Sequence, residues 1–215
     1  MSAHPLAVAL GKGVQALGLV LTAPQQEGLL AYLDLLGKWN KVYNLTAVRD
    51  PADMLTYHLL DSLAVIAPLR RHTQGAAVRL LDVGAGGGLP GVVIAICCPE
   101  IEVACVDAVA KKAAFIQQVA AALRLPNLRG LHARVESVAD RFDVITSRAF
   151  ATLADFTQWS AGALVEGGVW VAMKGKHPAD EIAALPPVVE VFHVEQLVVP
   201  GLGAERCLVW MRPAA

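Results

Sequence analysis

The run Leu80-Leu81-Asp82-Val83-Gly84-Ala85-Gly86-Gly87-Gly88-Leu89-Pro90-Gly91 limits the possible folds of this chain more than any other feature. An apolar strand enters a turn crowded with glycine, and a proline follows where a first helical turn accepts one. Glycines at such a turn let the backbone approach a ligand, and the following helix offers unpaired N–H groups. From residue 78 onward, β-rich runs at 78–83, 102–106, 129–132, 142–146, 169–173, 188–194 and 206–211 alternate with helical stretches at 90–97, 109–123, 152–164 and 178–184. That alternation predicts an α/β fold with a parallel, doubly wound sheet. Only 196–205, with Pro200-Gly201 and Gly203, separates the last two runs. It is too poor a segment for a crossover helix, so the last strand is expected to run antiparallel as a hairpin partner.

Before residue 76 the apolar spacing is helical. Leu6, Leu10, Val14, Leu17 and Leu21 step by three or four, which lays them on one helix face. Thr22, with Pro24 in the first turn and Gln25 three residues on, opens a second helix through a capping box. Leu29, Leu33, Leu36 and Trp39 form its buried stripe. Asp50-Pro51 starts another helix, and 57–66 continues helical to Pro68. The expected organisation is a helical cap over 1–75 and an α/β domain over 76–215, in one compact unit.

A chain that is 55% hydrophobic and free of low-complexity tracts is not disordered. Its longest unbroken apolar run, 92–98, is about a third of the roughly 20 residues a membrane-spanning helix needs. The N-terminus has the apolar character of a signal peptide but lacks the leading basic residues and the small-residue cleavage site, and Lys12 interrupts it. The expectation is a cytoplasmic protein without a membrane partner. A net charge of -1 argues against tight, sequence-blind binding to naked nucleic acid. Cys97, Cys98, Cys105 and Cys207 lie in apolar runs without a C-x-x-C, which reads as buried free thiols and no metal site.

Two chemistries use such a glycine turn. Gly86-x-Gly88-x-x-Gly91 satisfies the dinucleotide fingerprint. The register Asp82-x-Gly84-x-Gly86-x-Gly88 resembles instead the first motif of the class I methyltransferases, which bind S-adenosyl-L-methionine. Asp107 closes the next strand, where an acidic side chain accepts hydrogen bonds from ribose hydroxyls in both classes. The terminal hairpin favours the methyltransferases, whose Rossmann-like sheet has seven strands with the last antiparallel.

The resemblance narrows outside the loop. Lys38-Trp39-Asn40-Lys41-x-x-Asn44-Leu45-Thr46, His58-x-x-Asp61-Ser62-Leu63, Asp107-x-x-x-Lys111-Lys112-x-x-Phe115, Arg134-Val135-Glu136, Ser147-Arg148-Ala149-Phe150-Ala151 and Met173-Lys174-Gly175 follow one another along the chain. In that order, from about residue 25 on, they resemble the bacterial small-subunit ribosomal RNA methyltransferase G family, also called glucose-inhibited division protein B. The resemblance implies methylation of one guanine N7 in 16S rRNA near the decoding centre. It implies cofactor contacts at Asp82, Gly84, Ala85, Gly86, Gly88, Leu89, Asp107, Ala108, Val109, Val135, Glu136 and Arg148. Two local departures are a third consecutive glycine at Gly87 and Ala108 where a serine is common.

Guanine N7 carries an in-plane lone pair and no proton, so an in-line displacement needs alignment more than a general base. Arg148, after the fourth strand, is the expected catalytic contact, aligning cofactor and substrate. Asn44, Thr46, His58, Asp61, Ser62, Lys111 and Lys174 are candidate substrate contacts. Against these stand turn capping for Asn44 and Thr46, a helix-face hydrogen bond for His58 and Asp61, and a snorkelling cation for Lys174. The expected partner is 16S rRNA within the small subunit or an assembly intermediate, met by a monomer. A small-molecule methyltransferase and a non-catalytic ribosome-assembly factor remain as alternatives.

Overall fold

The computed structural model describes residues 4–214. Five parallel strands form the body of one seven-stranded sheet: β1 (Arg79–Val83), β2 (Glu102–Asp107), β3 (Leu128–His132), β4 (Phe142–Arg148) and β5 (Leu164–Lys174). β6 (Val189–Leu197) and β7 (Arg206–Pro213) complete it in the order β3-β2-β1-β4-β5-β7-β6. β7 inserts antiparallel between β5 and β6, as the short 196–205 connection requires. β1 is buried except at its first residue, and β4 is buried over most of its length. Layers therefore cover both faces of the sheet.

Residues before β1 form α1 (Ala7–Ala16), α2 (Ala23–Tyr43), a short α3 (Pro51–Met54), a wide π turn over Leu55–Leu60, α4 (Asp61–Leu63) and α5 (Ile66–Thr73). The capping box at Thr22 and Gln25 is formed on both sides. The first helix is shorter than its apolar spacing suggests. Gly18 takes φ +66° and ends it, leaving Leu21 buried but outside the helix. The π turn also departs from the plain helix expected there, and it carries the buried His58. The cap and one sheet face share a single apolar cluster in which Leu29, Leu36, Leu59 and Ile66 join Leu80, Val92 and Trp210.

After the sheet begins, α6 (Gly91–Cys97), α7 (Ala110–Ala122), α8 (Leu153–Ser160) and α9 (Ala179–Ala183) occupy the expected crossovers. α8 stops at Ser160 because a single 3₁₀ turn, Ala161–Ala163, hands the chain to β5. The four cysteines are buried free thiols. No helix among the described residues is long and apolar enough to cross a membrane.

Candidate active site

Two cavities open at the carboxyl ends of the parallel strands, where ligands bind in open α/β sheets. They hold about 380 and 370 Å³, and Gly84 and Ala149 line both. The wall between them is built by the glycine loop and by the end of β4. Ala149 has φ +52°, a left-handed conformation uncommon for a residue with a Cβ. That turn sends Arg148 into the larger cavity and Phe150 into the smaller.

The loop conformation separates the two registers read from the sequence. Gly84, Gly86 and Gly88 take φ +65°, +58° and +89°, so the alternating register supplies the left-handed turns. Gly91 has another function: a Cβ there would meet Cys105 Sγ at 2.4 Å and Asp82 Oδ2 at 2.8 Å. The loop N–H groups are mostly used inside the protein. Gly84 and Ala85 donate to the Val106 carbonyl, Gly88 and Leu89 to the Ala85 carbonyl, Gly86 to Asp107 Oδ2 at 3.0 Å and Gly91 to Asp82 Oδ2 at 2.8 Å. A pyrophosphate cradle needs those donors free, and here the buried Asp82 carboxyl occupies the helix entrance. The geometry opposes the dinucleotide reading. Gly87 keeps an ordinary φ and is held by α2, where the Tyr32 hydroxyl donates to its carbonyl at 2.6 Å and Leu36 packs against it.

The smaller cavity is lined by Asp107, Ala108, Val135, Glu136, Phe150 and Trp159, among others. Asp107 is nearly buried, and its carboxylate accepts the Gly86 and Val109 N–H groups at 3.0 and 2.9 Å. Lys112 stands 3.7 Å away. Each carboxylate oxygen accepts only one of these N–H groups and can accept another donor, which suits a pair of vicinal hydroxyls. Phe150 lies against Gly84, where a Cβ would come within 2.2 Å of its ring, and meets Trp159 edge-on at 5.9 Å.

The larger cavity is ionic. Asp61, only 2% exposed at its side chain, receives Arg148 Nη1 on Oδ2 at 2.7 Å and Arg206 Nε on Oδ1 at 2.8 Å. Arg148 also donates to the Tyr57 carbonyl at 2.9 Å. Thr46 and His58 are joined at 2.8 Å through Oγ1 and Nε2. Burial, reinforced by the Arg148 charge, lowers the His58 pKa to about 4, so its ring is neutral at pH 7. Lys174 lines the same cavity but donates to the Ala151 carbonyl at 2.9 Å and pairs with Glu181 at 2.7 Å.

The expected residues thus divide. Thr46, His58, Asp61, Arg148 and Lys174 converge on the larger cavity with Ala85, Gly86 and Leu89. Asp82, Gly88 and Val109 line neither cavity, contrary to a direct contact. Asp82 and Gly88 are buried supports of the loop, and the Val109 N–H fixes Asp107. Ser62 is fully buried behind the cavity rather than facing a substrate. Asn44 is the exposed, left-handed C-cap of α2 and accepts from Arg49 at 3.0 Å. Lys111 projects to solvent at the start of α7, outside both cavities. Arg206 and Gly87 belong to the larger cavity and were not among the expected contacts. Topology offers a signal for Arg206: an antiparallel strand begins at the edge where the parallel strands finish, so its first residue falls beside the site.

A family model described as rRNA small subunit methyltransferase G matches residues 25–209, most of the chain. This chain belongs to that family. The protein of that name from Polaromonas sp. (strain JS666 / ATCC BAA-500) is 69% identical, over 94% of this chain and 92% of its own length. The one from Acidovorax ebreus (strain TPSY) is 67% identical, over 96% and 95%. Among solved structures, the N-methyltransferase NodS from Bradyrhizobium japonicum, in complex with S-adenosylhomocysteine, superposes with a TM-score of 0.58 at 16% identity, covering 83% of this chain and all of its own. TrmN from Thermus thermophilus gives 0.55 at 19% identity, over 74% of this chain and 53% of its own. The fold is that of the class I S-adenosylmethionine-dependent methyltransferases, with a helical N-terminal extension and an antiparallel last strand. Family membership makes this chain an rRNA methyltransferase.

Proposed function

We propose that this chain transfers a methyl group from S-adenosyl-L-methionine to N7 of one guanine of 16S rRNA near the decoding centre. The observation that carries the reading is the pair of cavities meeting at Gly84 and Ala149, one built for a nucleoside and the other charged. The residues fit the cofactor. Asp107 would hold the ribose hydroxyls, with Ala108, Val135 and Phe150 against the adenine and Gly84 to Gly86 along the methionine part. When bound, S-adenosyl-L-methionine supplies a methyl already activated by its positive sulfur.

The remaining work falls to the chain's own residues. Guanine N7 has no proton to lose, so a neutral His58 held by Thr46 is not required as a base. Arg148 and Arg206, fixed through Asp61, orient the acceptor by donating hydrogen bonds to it, and the cavity walls exclude water. The acceptor base must leave its stack to enter. The near-neutral chain gains part of its recognition from folded ribonucleoprotein, in the small subunit or an assembly intermediate, and works as a cytoplasmic monomer whose cap and sheet act as one unit.

Isotopically labelled S-adenosyl-L-methionine, given to small subunits that lack the modification, tests the reaction. Nuclease digestion and mass spectrometry are expected to find the label as 7-methylguanosine in a single 16S fragment. Label in another nucleoside, or only in small molecules, would overturn the assignment.

A further inference from the structure

Arg206 enters the larger cavity from the far end of the chain. It is the first residue of β7, next to Cys207, which pairs with Lys174 at the carboxyl end of β5. Its Nε donates to Asp61 Oδ1 at 2.8 Å, and its Nη1 to the Glu205 carbonyl at 2.9 Å. Among the described residues its Nη2 has no acceptor, and Arg206 lines the cavity. Arg148 shares Asp61 through the other carboxylate oxygen, at 2.7 Å. One buried carboxylate therefore sets two guanidinium planes, and the three groups together carry one positive charge. Lys174 is neutralised by Glu181 and His58 is uncharged, which leaves the two guanidiniums as the charged donors of the cavity.

A purine presenting N7 also presents the substituent on C6 beside it. Guanine offers the O6 acceptor there, whereas adenine offers an amino donor. An arginine commonly binds O6 and N7 together, but a methyl acceptor must leave N7 unoccupied. Arg206 has one arm held by Asp61, a second by the Glu205 carbonyl and a third unassigned, which suits a single bond to O6. We propose that Arg206 is the specificity-determining residue that reads the acceptor base, donating from Nη2 to guanine O6 while N7 stays open. This rests on the guanine-N7 reading above. An adenine in the same pose would set two donors against each other and leave the guanidinium unpaired.

The test uses full-length protein and small subunits reconstituted on ligated 16S RNA. The accepted guanosine is kept, or replaced by inosine, which retains O6, or by 2-aminopurine, which has N7 and no O6. Wild-type protein is expected to methylate guanosine and inosine at similar rates, and 2-aminopurine about 10 to 100-fold more slowly, the range for a charge-assisted hydrogen bond. Arg206→Met is expected to slow all three bases, and the two that carry O6 by about 10 to 100-fold more than 2-aminopurine, so that the preference vanishes. Cofactor affinity by calorimetry is expected to stay within about threefold, which separates lost reading from lost folding. Arg206→Lys keeps the charge without the fork and is expected to recover only part of the preference. Equal slowing on all three bases would overturn the proposal and assign Arg206 to the RNA backbone or to packing. An undiminished preference in Arg206→Met would overturn it as well. Absence of 7-methylguanosine with wild-type protein would instead remove the reading beneath it.

Discussion

The two cavities solve their problems by different means. The smaller one is built by backbone and by short-range sequence: Gly84 at the entry of the glycine loop, the ends of β2 and β3 and a carboxylate at Asp107 that its neighbours hold by N–H groups. The larger one takes the rest of the glycine loop as one wall and is completed by charged side chains drawn from three distant parts of the chain. Asp61 comes from the cap, Arg148 from β4 and Arg206 from β7, with separations of 87 and 145 residues from Asp61. A site made by backbone is fixed once the loop folds. A site made by an ion cluster is fixed only when cap and sheet have come together. Damage to the first is therefore expected in cofactor affinity, and damage to the second in transfer.

The largest expected effect strikes the smaller cavity. Asp107→Ala removes the acceptor for two loop N–H groups and for the ribose hydroxyls. At roughly 1.5–3 kcal/mol for each hydrogen bond to a charged group, S-adenosyl-L-methionine should bind at least about 100-fold more weakly by calorimetry. Binding within a few-fold of wild type would break the division of labour.

A pH comparison of folding stability sharpens it next, because one displaced titration lies in the larger cavity and another beneath the glycine loop. His58, in the larger cavity, has its pKa lowered to about 4 by burial and then by Arg148. Between pH 6.5 and 4 the unfolded chain takes up a proton that the folded chain refuses, so stability falls with acid, by about 3 kcal/mol in full. Asp82, beneath the loop, is raised to about 7 by burial, against the opposing hydrogen bond from Gly91. From pH 3.8 to 7 the folded chain retains a proton that the unfolded one has released, so stability falls as pH rises. The two slopes oppose each other across about pH 4 to 6.5. Urea denaturation should show His58→Asn losing stability with rising pH through that window, and Asp82→Asn gaining it. Slopes of the same sign in both variants would contradict the assignment.

The smallest effect is expected at the rim. Lys174 and Glu181 are partly solvated, so Glu181→Gln should change stability by less than about 1 kcal/mol in thermal unfolding. A larger loss would mean that Lys174 belongs with the ionic cluster.

The same contrast explains what was legible in the sequence. The loop, the Asp107 carboxylate and the terminal hairpin were all readable because each is written in a few adjacent residues. The alternating glycine register even matched the three left-handed residues, Gly84, Gly86 and Gly88. Sequence spacing does not reveal which members of a motif face the ligand. Asp82 and Ser62 sit inside matching motifs, yet burial turns them away from both cavities. Asn44 was better described by its capping geometry than by any contact. Arg206 lay outside every quoted motif, because its place depends on β7 entering antiparallel and on Asp61 arriving from the cap.

The division between the cavities is tested most directly by measuring two quantities on one variant, Asp61→Ala. Truncation leaves Arg148 and Arg206 without their shared carboxylate, and breaking such a buried pair costs about 3–5 kcal/mol. Single-turnover methyl transfer to small subunits at saturating cofactor is expected to fall at least about 100-fold, with cofactor affinity by calorimetry unchanged within about threefold. Transfer at the wild-type rate, or a loss explained entirely by weaker cofactor binding, would contradict the account.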